Sequence, residues 1–106
     1  MKVQFEPGRI RLRVSGDEFR ALRVYGTLVA SIDWPGGGWR VEVARGDAPP
    51  QATGTTLRVT FGADEIAGLE ARLPARDGLK RRLELPDGAV DVLLEVDLHD
   101  GRRRPR

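Results

Sequence analysis

Apolar and polar residues alternate from the first position of the chain. In MKVQFEPGRIRLRV, Met1, Val3 and Phe5 and then Ile10, Leu12 and Val14 fall on one face, and Lys2, Gln4 and Glu6 and then Arg9, Arg11 and Arg13 on the other. A period of two is that of a half-buried strand, so two strands meet around Pro7-Gly8. Tight pairing sets Phe5 against Ile10 and Glu6 against Arg9, although Pro-Gly favours a type II turn whose twist suits a two-residue hairpin poorly, which leaves a wider loop as the alternative. The period then lengthens over SGDEFRALRVYG. Ser15 with Glu18 three residues on is a capping box, Phe19 and Leu22 form a buried stripe, and Gly26 stands where a left-handed residue ends a helix.

TLVASIDW and WRVEVA flank PGGG and read as a hairpin. Pairing Trp34 with Trp39 sets Ile32 opposite Val41 and Ala30 opposite Val43 on the inner face, and Asp33 opposite Arg40 outside. GDAPPQATG, residues 46–54, has turn-forming residues and no periodicity, and reads as a linker loop. Beyond it TTLRVTF is a strand with Leu57, Val59 and Phe61 inward. ADEIAGLEARL is a short helix presenting Ile66, Leu69 and Leu73, stopped by Pro74. LKRRLEL and AVDVLLEVDL flank Asp87-Gly88 as a second hairpin, in which pairing Leu85 with Val90 places Leu83 opposite Val92 and Lys80 opposite Glu95.

The order strand, helix, strand, turn, strand thus occurs twice. Leu12, Arg13, Val14 and Ser15 match Leu57, Arg58, Val59 and Thr60; after a two-residue insertion, Asp17, Glu18 and Phe19 match Asp64, Glu65 and Ile66. The expectation is an α+β domain spanning residues 1–100, built from tandem βαββ units at 9–45 and 56–97 after an extra first strand. Its sheet is mostly antiparallel, either one curved sheet carrying both short helices or a half-open barrel.

Charge changes this picture little. The formal net charge of +2 includes Arg102, Arg103, Arg104 and Arg106, and taking those four away leaves −2. Residues 101–106 therefore read as a basic, disordered tail on a body that is not basic. The absence of cysteine excludes disulfides, thiolate metal sites and cysteine nucleophiles. No apolar run reaches the length of a membrane span and no signal-peptide pattern opens the chain, so the expected location is cytoplasmic, with no membrane partner.

Candidate chemistry is sparse. Glu95, Asp97 and His99 alternate on the last strand and could offer metal ligands, but Glu95 has a cross-strand lysine in the expected register and the row reads as a solvated face. Ser15 and Thr60 take capping positions, the first-turn carboxylates belong to helix N-termini, and PGGG lacks the lysine and helix of a phosphate loop. No catalytic, cofactor or metal residue is assigned, and the sequence leans away from an enzyme. Arg9, Arg11 and Arg13 form an arginine row that, with Arg102, Arg103 and Arg104, could track a phosphate backbone, though without exposed aromatics for base stacking.

GRIRLRVSGDEFRAL near the start, LRVTF near residue 60 and LLEVD near the end resemble a family of small uncharacterised bacterial proteins. Its members begin with a similar Ile-Arg-Leu-Arg strand and acidic helix start. They close on Glu-Lys-Asp, an aromatic and a cysteine; here Glu95 and Asp97 match, Val96 and Leu98 replace the other two, and no cysteine follows. The resemblance implies a compact bacterial domain and no particular activity. The functional expectation is a non-catalytic binding or regulatory module whose partner is another protein, with weak nucleic-acid binding as the alternative.

Overall fold

The alternating segments pair into two sheets. The computed structural model describes residues 1–75 and 77–98. Its elements run β1 (Lys2–Glu6), β2 (Arg9–Ser15), α1 (Gly16–Tyr25), β3 (Thr27–Trp34), β4 (Gly37–Arg45), β5 (Gln51–Thr53), β6 (Thr56–Phe61), α2 (Ala63–Arg72), β7 (Leu79–Leu85) and β8 (Gly88–Asp97). His99 and the expected tail, with Arg102, Arg103 and Arg104, lie outside the described residues.

The fold is mixed α+β, with strand orders β1-β2-β8-β7 and β3-β4-β6-β5. The sheets are mostly antiparallel, as expected, but the described residues form two four-stranded sheets where one curved sheet or a half-open barrel was expected, and among them there is no closed barrel. Each sheet joins two antiparallel hairpins through one parallel central pair, β2 with β8 and β4 with β6. Parallel neighbours need a long connection. For β4 and β6 the connection is residues 46–55, which hold β5; for β2 and β8 it is everything from α1 to β7, and each helix carries the chain from a strand of one sheet to a strand of the other. Residues 46–54, expected as a linker, contain β5, whose three residues pair with β6.

The helix starts follow from local chemistry. At α1 the Ser15 hydroxyl accepts the Glu18 N–H at 3.1 Å and the Glu18 carboxylate accepts the Ser15 N–H at 2.9 Å, the capping box read from sequence. Gly26, at φ 86°, ends the helix and donates its N–H to the Leu22 carbonyl. At α2 the cap is Gly62, not Thr60, and the Glu65 carboxylate accepts the Gly62 N–H at 2.9 Å. Thr60 is buried instead within β6, donating its hydroxyl to the Ala48 carbonyl.

Hairpin registers divide by turn. At Pro7-Gly8 the pairs are Phe5 with Ile10 and Glu6 with Arg9, as expected. The other two large hairpins slide by two residues from the expected register. Trp34 pairs with Gly37, Trp39 with Ile32, Ala30 with Val41 and Leu28 with Val43; Leu85 pairs with Gly88, Leu83 with Val90 and Lys80 with Leu93. Asp33 accordingly faces Gly38, not Arg40. The cause is the same in both. Gly37 and Gly88, which look like turn residues in sequence, are strand residues, and the turns keep only two residues, Pro35-Gly36 and Pro86-Asp87. At Gly37 the missing side chain gives room to the Trp34 indole, whose Nε1 would lie 2.8 Å from a Cβ there.

The inward faces of both sheets and both helices form one buried cluster, which includes Leu12, Val14, Leu94, Val43, Val59 and Phe61 from the strands. Phe19 and Leu22 of α1 and Ile66 and Leu69 of α2 belong to it as well. Because β2 and β6 each run from a hairpin turn into a helix, the helices close one end of this core and the turns gather at the other.

Candidate functional site

At the turn end, the inner faces of the two sheets part around an apolar cleft of about 250 Å³. Phe5, Ile10, Leu83, Leu85 and Val90 wall it from one sheet, and Trp39, Val41 and Leu57 from the other. Phe5 and Trp39 meet across it edge to face, ring centroids 5.6 Å apart and planes at 84°, the arrangement favoured by aromatic quadrupoles. Trp39 is therefore partnered by Phe5 and not, as expected, by Trp34, which is half exposed at the hairpin tip. The lining contains one charged residue, Arg40, and its guanidinium is held by Glu42 at 2.8 Å. Such walls hold an apolar group by desolvation and offer no acid or base to it.

Sequence reasoning missed this cleft because it assigned Phe5 and Leu85 to the interior. A signal was present: Phe5, Trp34 and Leu85 each stand within two residues of a turn proline, Pro7, Pro35 and Pro86. At those positions a strand has nearly run out of sheet to pack against.

The arginine row lies on the outer face of the β1-β2-β8-β7 sheet, and it is compensated. Arg9 donates to Glu6 at 2.8 Å. Arg11 donates to both oxygens of Glu95, at 3.0 and 3.2 Å, with Glu6 at 3.6 Å, and the Arg13 Nε lies 3.6 Å from Glu95. The hydrogen bond to Glu95, with the attraction of its charge, raises the Arg11 pKa further above its ordinary value. Parallel pairing explains the arrangement, since it sets Arg13 beside Glu95 and Arg9 beside Asp91. Lys80, the cation expected opposite Glu95, is not its partner. Of the possible metal ligands, Glu95 is thus held by arginines and His99 lies outside the described residues; no group of three potential metal ligands occurs among the described residues.

A second ionic cluster ties the sheets at the helix end. Arg81 of β7 donates to both carboxylate oxygens of Glu65, one at 2.9 Å, and its guanidinium lies 5.1 Å over the Phe61 ring. Hydrogen bonds from Arg81 hold the Glu65 carboxyl below its ordinary pKa; partial burial opposes them and the Gly62 N–H assists. Glu18 is also lowered: partial burial works against ionisation but is outweighed by the Met1 ammonium and the Ser15 N–H. Both carboxylates are committed to helix starts, which leaves neither for proton transfer.

Among the described residues no helix is long and apolar enough to cross a membrane. Comparison of the chain with protein-family models, with curated proteins and with solved structures gave no match.

Proposed function

We propose that the protein is a non-catalytic binding module that takes an apolar anchor side chain of a partner protein into the cleft between its sheets. The observation that carries this reading is the cleft itself, apolar on both walls and open at the turn end. At about 250 Å³ it falls below the roughly 300–1,000 Å³ usual for small-molecule sites. An anchor residue on a loop or extended segment fits that size, and burying one such side chain in a desolvated pocket is how interface hot spots act. The competing reading, nucleic-acid binding through Arg9, Arg11 and Arg13, is weakened by Glu6 and Glu95, because a phosphate would have to displace carboxylates already bonded to the guanidiniums. The resemblance to the uncharacterised bacterial family adds no activity to this reading.

The same proposal takes the two halves as copies of one unit, each ending in a hairpin that lines the cleft. What supports it is matching pairing, at one offset from Glu6 through the Ser15 cap and at an offset four residues longer in the closing hairpin. Glu6 with Arg9 corresponds to Thr53 with Thr56, and Leu12 with Leu94 to Val59 with Val43. In this alignment the Ser15 cap matches the Gly62 cap without an insertion, and β5 is the counterpart of β1, so the unit is ββαββ and not βαββ.

Panning a displayed peptide library against the full chain tests the binding reading. Selected peptides are expected to share an apolar anchor and to lose at least about tenfold in affinity, some 1.4 kcal/mol, against Leu85→Glu or Phe5→Glu. They are expected to bind Arg11→Ala unchanged. Binding of mixed RNA at physiological salt that needs Arg9, Arg11 and Arg13, with no peptide selected, would replace this proposal by the nucleic-acid one.

A further inference from the structure

Among the described residues, seven large apolar side chains are exposed, and five of them, Val24, Tyr25, Val29, Ile32 and Trp34, fall in the eleven residues from Val24 to Trp34. That stretch is the last turn of α1 followed by the whole of β3, and β3 is an outer strand whose one partner is β4. An outer strand presents unpaired N–H and C=O groups, and proteins usually guard it with charge, proline or brevity. The other three outer strands are guarded. β1 carries Lys2 and Glu6, β7 carries Lys80, Arg81, Arg82 and Glu84, and β5 has three residues. In eight residues, TLVASIDW, β3 has no proline and a single charge, Asp33.

We propose that β3 is where two copies of this chain pair, antiparallel, across a twofold axis at Ala30. A twofold perpendicular to the sheet keeps inner faces on one side, so opposed residues must share parity. Centred on Ala30, the register sets Leu28 opposite Ile32 of the second copy, Val29 opposite Ser31, and Thr27, a hydroxyl donor, opposite Asp33. Leu28, Ala30 and Ile32 thus each meet an apolar residue, and the one carboxylate meets a hydrogen-bond donor. The two Asp33 side chains stand six residues apart along the strand, roughly 20 Å, where salt screens them. Antiparallel pairing also carries the end of α1, with Val24 and Tyr25, toward the Ile32–Trp34 end of the other copy, joining the two halves of the exposed apolar stretch. Assembly stops at two, because no second unguarded edge is left to extend the sheet. A foreign extended peptide would gain the same backbone hydrogen bonds, but it would need a matching sequence, which the strand already supplies to itself.

The chain has no cysteine, so one introduced thiol reports unambiguously. Across the proposed axis the two Ala30 Cα atoms would lie about 4.5–5.5 Å apart, within disulfide reach. Ala30→Cys is expected to cross-link to a dimer under mild oxidation at least tenfold faster than Arg82→Cys, on the guarded outer strand β7. Sedimentation equilibrium of the full chain is expected to give a monomer–dimer equilibrium that Val29→Lys abolishes while circular dichroism stays native. Equal cross-linking rates, a dimer indifferent to Val29→Lys, a monomer at all concentrations, or growth beyond the dimer would each overturn the proposal.

Discussion

The two ends of the core are built from the same kinds of strand and finished differently. At the helix end, Phe61 is fully buried in the cluster that also holds Leu22, Ile66 and Leu69, and the Arg81 guanidinium lies over its ring. At the turn end, Phe5 keeps 60% of its surface in water and packs edge to face on Trp39. The first end is packed as an interior is packed, and the second leaves apolar walls for something else to cover. Stability and binding are therefore expected to reside at opposite ends of one hydrophobic cluster.

The sharpest way to break that comparison is to truncate one phenylalanine from each end. Phe61→Ala is expected to cost about 3–5 kcal/mol by denaturant unfolding, the range for emptying a buried aromatic site. Phe5→Ala is expected to cost about 1 kcal/mol, the lost ring contact with little cavity behind it. Equal costs would mean that the turn end is closed in solution.

Glycines give a second contrast. A Cβ at Gly78, just before β7, would overlap the backbone carbonyl of Leu94, which cannot swing aside. A Cβ at Gly37 would meet the Trp34 indole, a side chain at a half-exposed hairpin tip that can. Gly78→Ala is expected to destabilise by about 1–3 kcal/mol, as overpacking does, and Gly37→Ala by less than about 1. A reversal of that order in thermal melts would place the rigid packing at the turn end.

The smallest effect is electrostatic. With Glu18 and Glu65 held below the ordinary carboxyl pKa of 4.5, their contribution is full above that value and fades as pH falls through the lowered folded pKa values. Glu65→Gln is expected to cost about 0.5–1 kcal/mol at pH 7, discounted for partial exposure, and to converge with the wild type in acid. A gap that stays constant down to strongly acid pH would show that the difference does not come from the ionised Glu65 carboxylate.

Much of the fold was legible in residues close together in sequence. The α1 limits follow from Ser15, Glu18 and Gly26, and the first hairpin register from Pro7-Gly8. The inner and outer faces of β2 follow from strict alternation, and those of β8 from an alternation that Leu93 interrupts. The cleft was legible only in part, because alternation says that Phe5 and Leu85 point inward and does not say how far the inside extends. The arginine row was visible as three cations, while its neutralisation needed Glu95, eighty-four residues from Arg11.

What the sequence determined by itself is the kind of each element and the face each residue shows, since helix caps and a period of two are set within a few residues. Register escaped it for a related reason: a slip of two residues leaves every side chain on its own face, so patterning cannot tell Trp34 opposite Trp39 from Trp34 opposite Gly37. The tertiary structure alone decided that β2 would lie beside β8 and β4 beside β6. Those parallel pairs depend on how two one-sided sheets and two small helices bury their apolar faces together, a condition on the whole chain that no local stretch contains.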